Sequence, residues 1–416
     1  MGAGVSGLTA AHLLHDRHDV TLFEAAPRAG GHACTVDVAL PEGGTAAVDV
    51  GFMVLNDRTY PRFRALLDEL GVRTRVADMS FSVSDGRDFE YGGRSPAALF
   101  ANPRHLADRR FLRMVAEYRR FNREARALLA SAADPSLRGW LQERGFSEYF
   151  VERLLVPQAS AVWSADPAQM WTFPARFLLQ FFANHDMLSL TGRPHWHTIV
   201  GGSRTYVDAI CARLGARTRL GNPVARVRRT RDGAVEVTVA GRAALRFDEV
   251  VLACHADQAL ALLADPTPAE TAVLGAIAYQ PSTLVLHSDE RLLPRRAAAR
   301  ASWNAHLADP APPAPTLTYD LRRLQGLETS LPVLATLNLP ERIDPAKVHT
   351  TFGFAHPAYT PAAVSAQRRH GEISGADRVH FAGAYWTWGF HEDGVASAHR
   401  VAAAIDAAPR PERLAA

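Results

Sequence analysis

Met1-Gly2-Ala3-Gly4-Val5-Ser6-Gly7 opens the chain and runs straight into Leu8-Thr9-Ala10-Ala11-His12-Leu13-Leu14. The glycines are spaced G-x-G-x-x-G, and the residues after them read as the start of an apolar helix face. In that pattern Gly2 permits a tight turn, Gly4 lets the backbone approach a pyrophosphate, and Gly7 lets helix and strand pack closely. Val5 and Ser6 fall at the helix start, where free N–H groups and the positive dipole end favour phosphate. His18 to Glu24 follows as a short strand ending in an acid. Glu24, with Ala25 beside it, is placed to hold a ribose hydroxyl about 20 residues beyond the glycines. The stretch therefore predicts a dinucleotide site. A fingerprint of this kind ordinarily follows the central strand of its sheet, so the expectation is a start that is short by one strand. The same residues fit the N-myristoylation pattern M-G-x-x-x-S, but the glycines already have a structural role. The apolar run has no basic flank and no cleavage site, so it reads as helix and not as a signal peptide.

The chain has 416 residues, of which 47% are hydrophobic and 21% charged, a globular composition with room for a large two-domain enzyme. No apolar run reaches the roughly 20 residues of a membrane span. The net charge of +3 gives no reason to expect nucleic acid. Cys34, Cys211 and Cys254 have no paired spacing, which points to a reducing, cytoplasmic setting with neither disulfides nor a metal site. Among the 46 basic residues only Lys347 is a lysine.

Farther along, a helix is expected near Arg62 to Leu70, ended by Gly71, and a hairpin over Met79 to Tyr91 around Asp85-Gly86. Phe111 to Leu129 carries apolar residues at helical spacing, flanked by Arg109, Arg110, Arg113, Arg119, Arg120, Arg123 and Arg126. A solvated helix packed by one face is the simpler reading, and peripheral contact with an anionic membrane is the second. Asn222 to Val227 and Val235 to Val239 pair around Arg231-Asp232-Gly233. Asp248 to Ala253 is a buried strand, with Cys254 and His255 just past its end, where ligands gather in such sheets.

Three stretches carry a family resemblance. Arg28-Ala29-Gly30-Gly31-His32 follows Glu24 as R-x-G-G-basic. Gly201-Gly202-Ser203 turns into a helix. Phe381-Ala382-Gly383, then Gly389-Phe390-His391-Glu392-Asp393-Gly394-Val395, closes the chain as F-A-G and G-[YF]-x-E-x-x-V. In this order they resemble the flavin amine oxidase superfamily, which includes monoamine and polyamine oxidases, protoporphyrinogen oxidase and carotenoid desaturases. The resemblance implies FAD as cofactor. It places Arg28, Gly30, Gly31 and His32 by the pyrophosphate and flavin, and Val224 by the adenine. Gly383 and the helix start at Glu392 to Val395 are placed by the flavin. His32 stands where an arginine is commoner, and Asp393 where a glycine is usual.

The finer motifs Val48 to Pro61, Met79 to Ser84, Ala161 to Ser164, Gly383 to Trp386 and Gly389 to Gly394 resemble a bacterial branch of predicted FAD-binding oxidoreductases. Related domains precede plant cyclopropane fatty-acid synthases, which implies a link to lipid-chain modification. Amine oxidases of the superfamily usually set a lysine near flavin N5. The strand expected there, Tyr279 to Leu284, has none. His195 and His197, with Trp386, Trp388 and His391, are the candidate groups for contact with substrate. The two tryptophans read either as an aromatic cage or, preferably, as walls of an apolar cavity.

The expected fold is α/β. A doubly wound Rossmann-type FAD domain comes from 1–50, 200–262 and 375–416, and an inserted α+β substrate domain from 51–199 and 263–374. The expected function is FAD-dependent oxidation, desaturation or isomerisation of a small apolar molecule, fatty-acyl in the leading reading. An amine or tetrapyrrole oxidase and a non-catalytic helper of a lipid-modifying partner enzyme are the alternatives.

Overall fold

The computed structural model describes residues 1–163, 171, 174–185, 187–188, 194–307 and 315–408. Ser164, the last residue of the Ala161 to Ser164 motif, lies outside them, as do Thr191 to Arg193 and residues 308–314. Trp163 ends a helix, Val156–Trp163.

The nucleotide side is built on two parallel strand pairs. Leu22–Phe23 pairs with Thr218–Arg219, and Val250–Leu252 with Val379–Phe381. Met1 and Gly2 run between the pairs and bond to both. The Met1 amino group donates to Val251 O at 2.7 Å and Met1 O accepts from Ala253 N at 2.8 Å. On the other side Gly2 N donates to Phe23 O at 2.8 Å. The first helix, Val5–Leu14, is buried along most of its length. It packs on the last helix, His391–Ala407, and on Arg204–Leu214. A three-stranded antiparallel sheet follows the expected turn at Asp232-Gly233, in the order Val224–Arg229, Val235–Val239, Ala244–Phe247.

The second layer is a seven-stranded sheet. Its order is Val348–Pro357, Tyr279–His287, Leu334–Leu337, Leu317–Asp320, Trp303–His306, Phe81–Ser84, Glu90–Gly92. Only the Trp303–His306 and Phe81–Ser84 pair is parallel. Phe81–Ser84 and Glu90–Gly92 form the hairpin expected around Asp85-Gly86. The arginine-rich segment is one helix, Arg109–Ala130, begun by Asp108, whose carboxylate accepts from the N–H groups of Arg110 and Phe111. Its apolar spacing lands on one buried face with Phe111, Met114, Phe121, Ala125 and Leu128. That face joins the largest core cluster together with Leu178, Phe181 and Phe182 of the helix Ala175–Asn184.

The layers meet at a buried carboxylate. Asp49, 1% exposed, accepts from Ser203 N at 2.9 Å, Ser203 Oγ at 2.7 Å and Thr35 Oγ1 at 2.6 Å. Its backbone N–H donates to Gln325 Oε1 at 3.0 Å, and its carbonyl accepts from Gln325 Nε2 at 2.8 Å. Burial pushes the Asp49 carboxyl up from its ordinary value, while the hydroxyls of Thr35 and Ser203 pull it back. Replacing Asp49 by Ala strands a helix-start N–H and two hydroxyls in the interior. Asp49→Ala is expected to lose about 3 kcal/mol or more of stability, read as a fall in the urea midpoint with an unchanged slope. Asp49→Asn, which keeps one acceptor oxygen, should fall in between.

Candidate active site

The glycine turn has the geometry its spacing predicts. A Cβ on Gly2 would lie 2.6 Å from Ala253 O, and one on Gly7 1.8 Å from Gly2 O. These two positions exclude any side chain. A Cβ on Gly4 would meet nothing within 4 Å. Gly4 is therefore the point where the turn faces open space. Gly4 caps the first helix in extended conformation with no side-chain cap, so the first N–H groups have no acceptor within the helix. Glu24 stands beside them. Its two carboxylate oxygens accept from Ala3 N at 2.6 Å and Ala26 N at 2.8 Å, which fixes the group and leaves acceptor capacity free. An anion cradle next to an oriented carboxylate fits the pyrophosphate and ribose of FAD.

Gly2, Gly4, Val5, Ser6, Glu24 and Ala25 all line one cavity of about 1960 Å³. Gly30, Gly31, His32, Val224 and Gly383 line it too. Other expected cofactor contacts fall elsewhere. Arg28 is exposed, and its guanidinium donates to the carbonyls of Gly31 at 3.0 Å and Ala33 at 3.2 Å, bracing the loop from behind. Gly201, Gly202 and Ser203 lie off the cavity, where Ser203 meets Asp49. Glu392 accepts from the N–H groups of Arg62 and Phe63, at 3.2 and 2.9 Å, and so caps the helix Pro61–Glu69. Asp393 accepts from Phe390 N at 2.9 Å at the start of the last helix, and burial pushes its carboxyl up to about 7. Gly394 lets that helix touch the first: a Cβ there would lie 2.7 Å from Val5 Cγ1. Val395 is fully buried in the same core. These C-terminal side chains pack and cap, and none of the four borders the cavity.

The expected substrate contacts divide in the same way. Trp388 and His391 line the cavity, but Trp386 does not. Trp386 sits in a core cluster, edge-on to His370 with ring centroids 4.5 Å apart. The His391 ring stacks on Phe52 at 3.6 Å, and its Nε2 lies 3.2 Å from Tyr206 Oη. Burial holds it well below its ordinary pKa, so it is a neutral, packed ring. His195 and His197 miss the cavity altogether, while Pro194 and Trp196 line it. In the strand Trp196–Ile199 alternate side chains face opposite ways, and the histidines have the wrong parity.

His32 and His255, each noted separately in the sequence, meet a third histidine that was not, His356. The His32 ring lies 5.3 Å from His356, 6.1 Å from His255 and 5.1 Å from Phe354. His255 stacks on Tyr279 at 4.1 Å, and Tyr279 Oη accepts from Ala256 N at 3.1 Å. All three histidines and Tyr279 line the cavity. Among the described residues, His32 Nε2 and His356 Nδ1 are buried without a hydrogen-bond partner. Burial, reinforced by the neighbouring imidazoles, pushes His32 down to about 3 and His356 to about 4. The only sequence signal for His356 was the alternation Phe352, Phe354, His356 along one strand.

Two outcomes follow from this geometry. Glu24→Ala, which removes the carboxylate fixed beside the helix start, should weaken FAD binding by about 1.5–3 kcal/mol, measured by titrating stripped protein with FAD. Second, a folded state that keeps His356 neutral resists a proton that the unfolded chain accepts near its ordinary value. Stability is therefore expected to fall as pH drops from about 6.5 towards 4, by at most about 3 kcal/mol for His356. Urea melts at stepped pH should show the fall, and His356→Gln should lessen it by the His356 share, the other buried histidines such as His32 keeping the rest.

Comparison with known proteins identifies the family. Residues 5–406 match the family described as flavin containing amine oxidoreductase. No curated protein sequence matches significantly. Cyclohexylamine oxidase from Brevibacterium oxydans IH-35A superposes with a TM-score of 0.68 at 18% identity, over 97% of each chain. Putrescine oxidase bound to putrescine gives 0.66 at 16% identity, over 98% of each. A fatty acid isomerase from P. acnes, which produces CLA, gives 0.65 at 14% identity, over 97% of this chain and 96% of that one. At these identities the superpositions establish a shared fold, and the family match covers nearly the whole chain. With this match over nearly its whole length, the chain belongs to the flavin-containing amine oxidoreductase family and is an FAD-dependent oxidoreductase.

Proposed function

We propose that the protein oxidises, desaturates or isomerises an apolar, fatty-acyl chain. The carrying observation is the charge pattern of the cavity wall. Away from the nucleotide turn the wall is built from side chains such as Met53, Phe81, Val115, Phe181, Trp196 and Trp303. Its carboxylates, among the described residues, are Glu24 at the turn and Asp78, which is 3.3 Å from Arg94. A cationic amine entering the interior would meet no counter-charge, whereas a hydrocarbon chain would be well solvated by the wall. Lys347, the one lysine, lies 3.8 Å from Asp289 and does not line the cavity. The same fold serves a fatty acid isomerase in P. acnes, which supports the reading by analogy.

FAD supplies the redox chemistry when bound. The residues of this chain bind and orient. Gly4 and the first helix receive the pyrophosphate, and Glu24 the ribose. The aromatic walls align an extended chain and keep water away from it. Neutral imidazoles at His32, His255 and His356 border the same space, and burial keeps them from adding a fixed positive charge to it.

The test is to mix FAD-loaded protein anaerobically with long-chain fatty acids and acyl esters, following flavin absorbance and analysing the chains by mass spectrometry. A shifted or new double bond, formed without any partner protein, is the expected result. Rapid bleaching by benzylamine or spermine, with acyl chains unchanged, would replace this reading with an amine oxidase.

A further inference from the structure

Exposed residues border the cavity in more than one place: Ala25, Gly31, Gln258 and Ala261 among them, and, beside the arginine-rich helix, Val76, Gly93 to Pro96 and Arg119. Two features converge on this last opening. The first is apolar. Among the described residues the most exposed large hydrophobic side chains are Val76 (72%), Leu106 (62%) and Leu112 (42%). Val76 lines the opening. Leu112 shares a helix face with Val115 and Arg119, which also line it. Leu106 ends the turn Pro103–Leu106, three residues ahead of Arg109.

The second feature is charge. Arg109, Leu112, Ala116, Arg119 and Arg123 follow the spacing i, i+3, i+7, i+10, i+14, which is one stripe along the helix Arg109–Ala130. All five are exposed. The two acids of this helix are committed elsewhere. Glu117 is buried and lies 3.2 Å from Arg113 and 3.7 Å from Arg120, and Glu124 lies 3.8 Å from Arg120. Arg109, Arg119 and Arg123 have no carboxylate partner among the described residues. A stripe of unpaired arginines interleaved with exposed leucine is complementary to a surface that is anionic outside and apolar just beneath. An acidic protein would satisfy the arginines but would leave Leu106 and Leu112 without a purpose.

We propose that the face around this opening docks on a bilayer containing anionic lipid, with the arginine stripe on the headgroups and Leu106, Leu112 and Val76 below them. The opening then faces the acyl region, and an apolar molecule can enter without crossing water. The docking itself does not depend on which substrate is turned over.

The full FAD-loaded chain is sedimented with phosphatidylcholine vesicles, with and without phosphatidylglycerol. Binding is expected only with phosphatidylglycerol and should weaken as salt is raised. Arg109→Gln/Arg123→Gln should lower it about fivefold per arginine. Leu106→Ser/Leu112→Ser should lower it by about tenfold. These four residues do not line the cavity, so flavin content and melting temperature should be unchanged and report that the variants are folded. Absence of binding at low salt by flavin-loaded protein would overturn the proposal. So would binding that depends on the arginines and not on the leucines, which is the behaviour expected for a soluble acidic partner. Because binding is read without turnover, failure here leaves the acyl-chain reading standing, and failure of that reading leaves docking standing.

Discussion

A contact that only glycine can make sets the position of everything at the nucleotide end. Gly7 sits so close to the Gly2 carbonyl that no β-carbon fits between them. That closeness lets the chain leave the sheet, turn and enter a helix within a few residues, so that bare N–H groups point into the cavity. Gly394 repeats the device from the other end of the chain, bringing the last helix against Val5 and Ser6. Two helices meeting over a common cradle are what join residues 1–7 to residues 383–395, although they are the most distant in sequence. The cost is local: the turn has no side chains of its own with which to bind, and its affinity must come from backbone N–H groups, the dipole and Glu24.

Beyond that cradle the protein avoids charge. Arginines make up nearly all its basic residues, yet among the described residues only Arg94 and Arg119 line the cavity, both of them exposed, and Arg28 braces the cofactor loop from behind. The interior relies on histidines that burial holds neutral and on aromatic rings. Such a wall interacts weakly with ions and well with extended hydrocarbon. His32 lies between Phe354, His255 and His356, a space in which a guanidinium would have no counter-ion.

The polar groups that hold the layers together are separate from the site. Asp49, Ser203, Thr35 and Gln325 form a network that joins the start of the helix Arg204–Leu214 to the paired strands Thr35–Ala39 and Thr45–Asp49 and to the turn after Leu317–Asp320. Glu392 and Asp393 cap helices. Several residues conspicuous in the family signatures therefore act on the architecture, and they reach the cofactor only through the backbone they position.

The sequence alone determined the features whose physics is local. The G-x-G-x-x-G spacing, the acid at Glu24, the hairpin at Asp85-Gly86 and the helical spacing from Phe111 to Leu129 each depend on neighbours a few residues apart. Each was readable for that reason. Tertiary structure alone decided which side of an element meets the cavity. His195 and His197 looked like site residues because histidine is chemically suggestive, but the strand's pairing turns Trp196 inward instead. The Trp386 and Trp388 pair was split by one turn of backbone into a core residue and a cavity residue. His32, His255 and His356 come from three separate segments, and nothing in their spacing along the chain signals that they meet. Their cluster exists because the end of the Val348–Pro357 strand is brought over the glycine loop, a packing decision that no short stretch of sequence encodes.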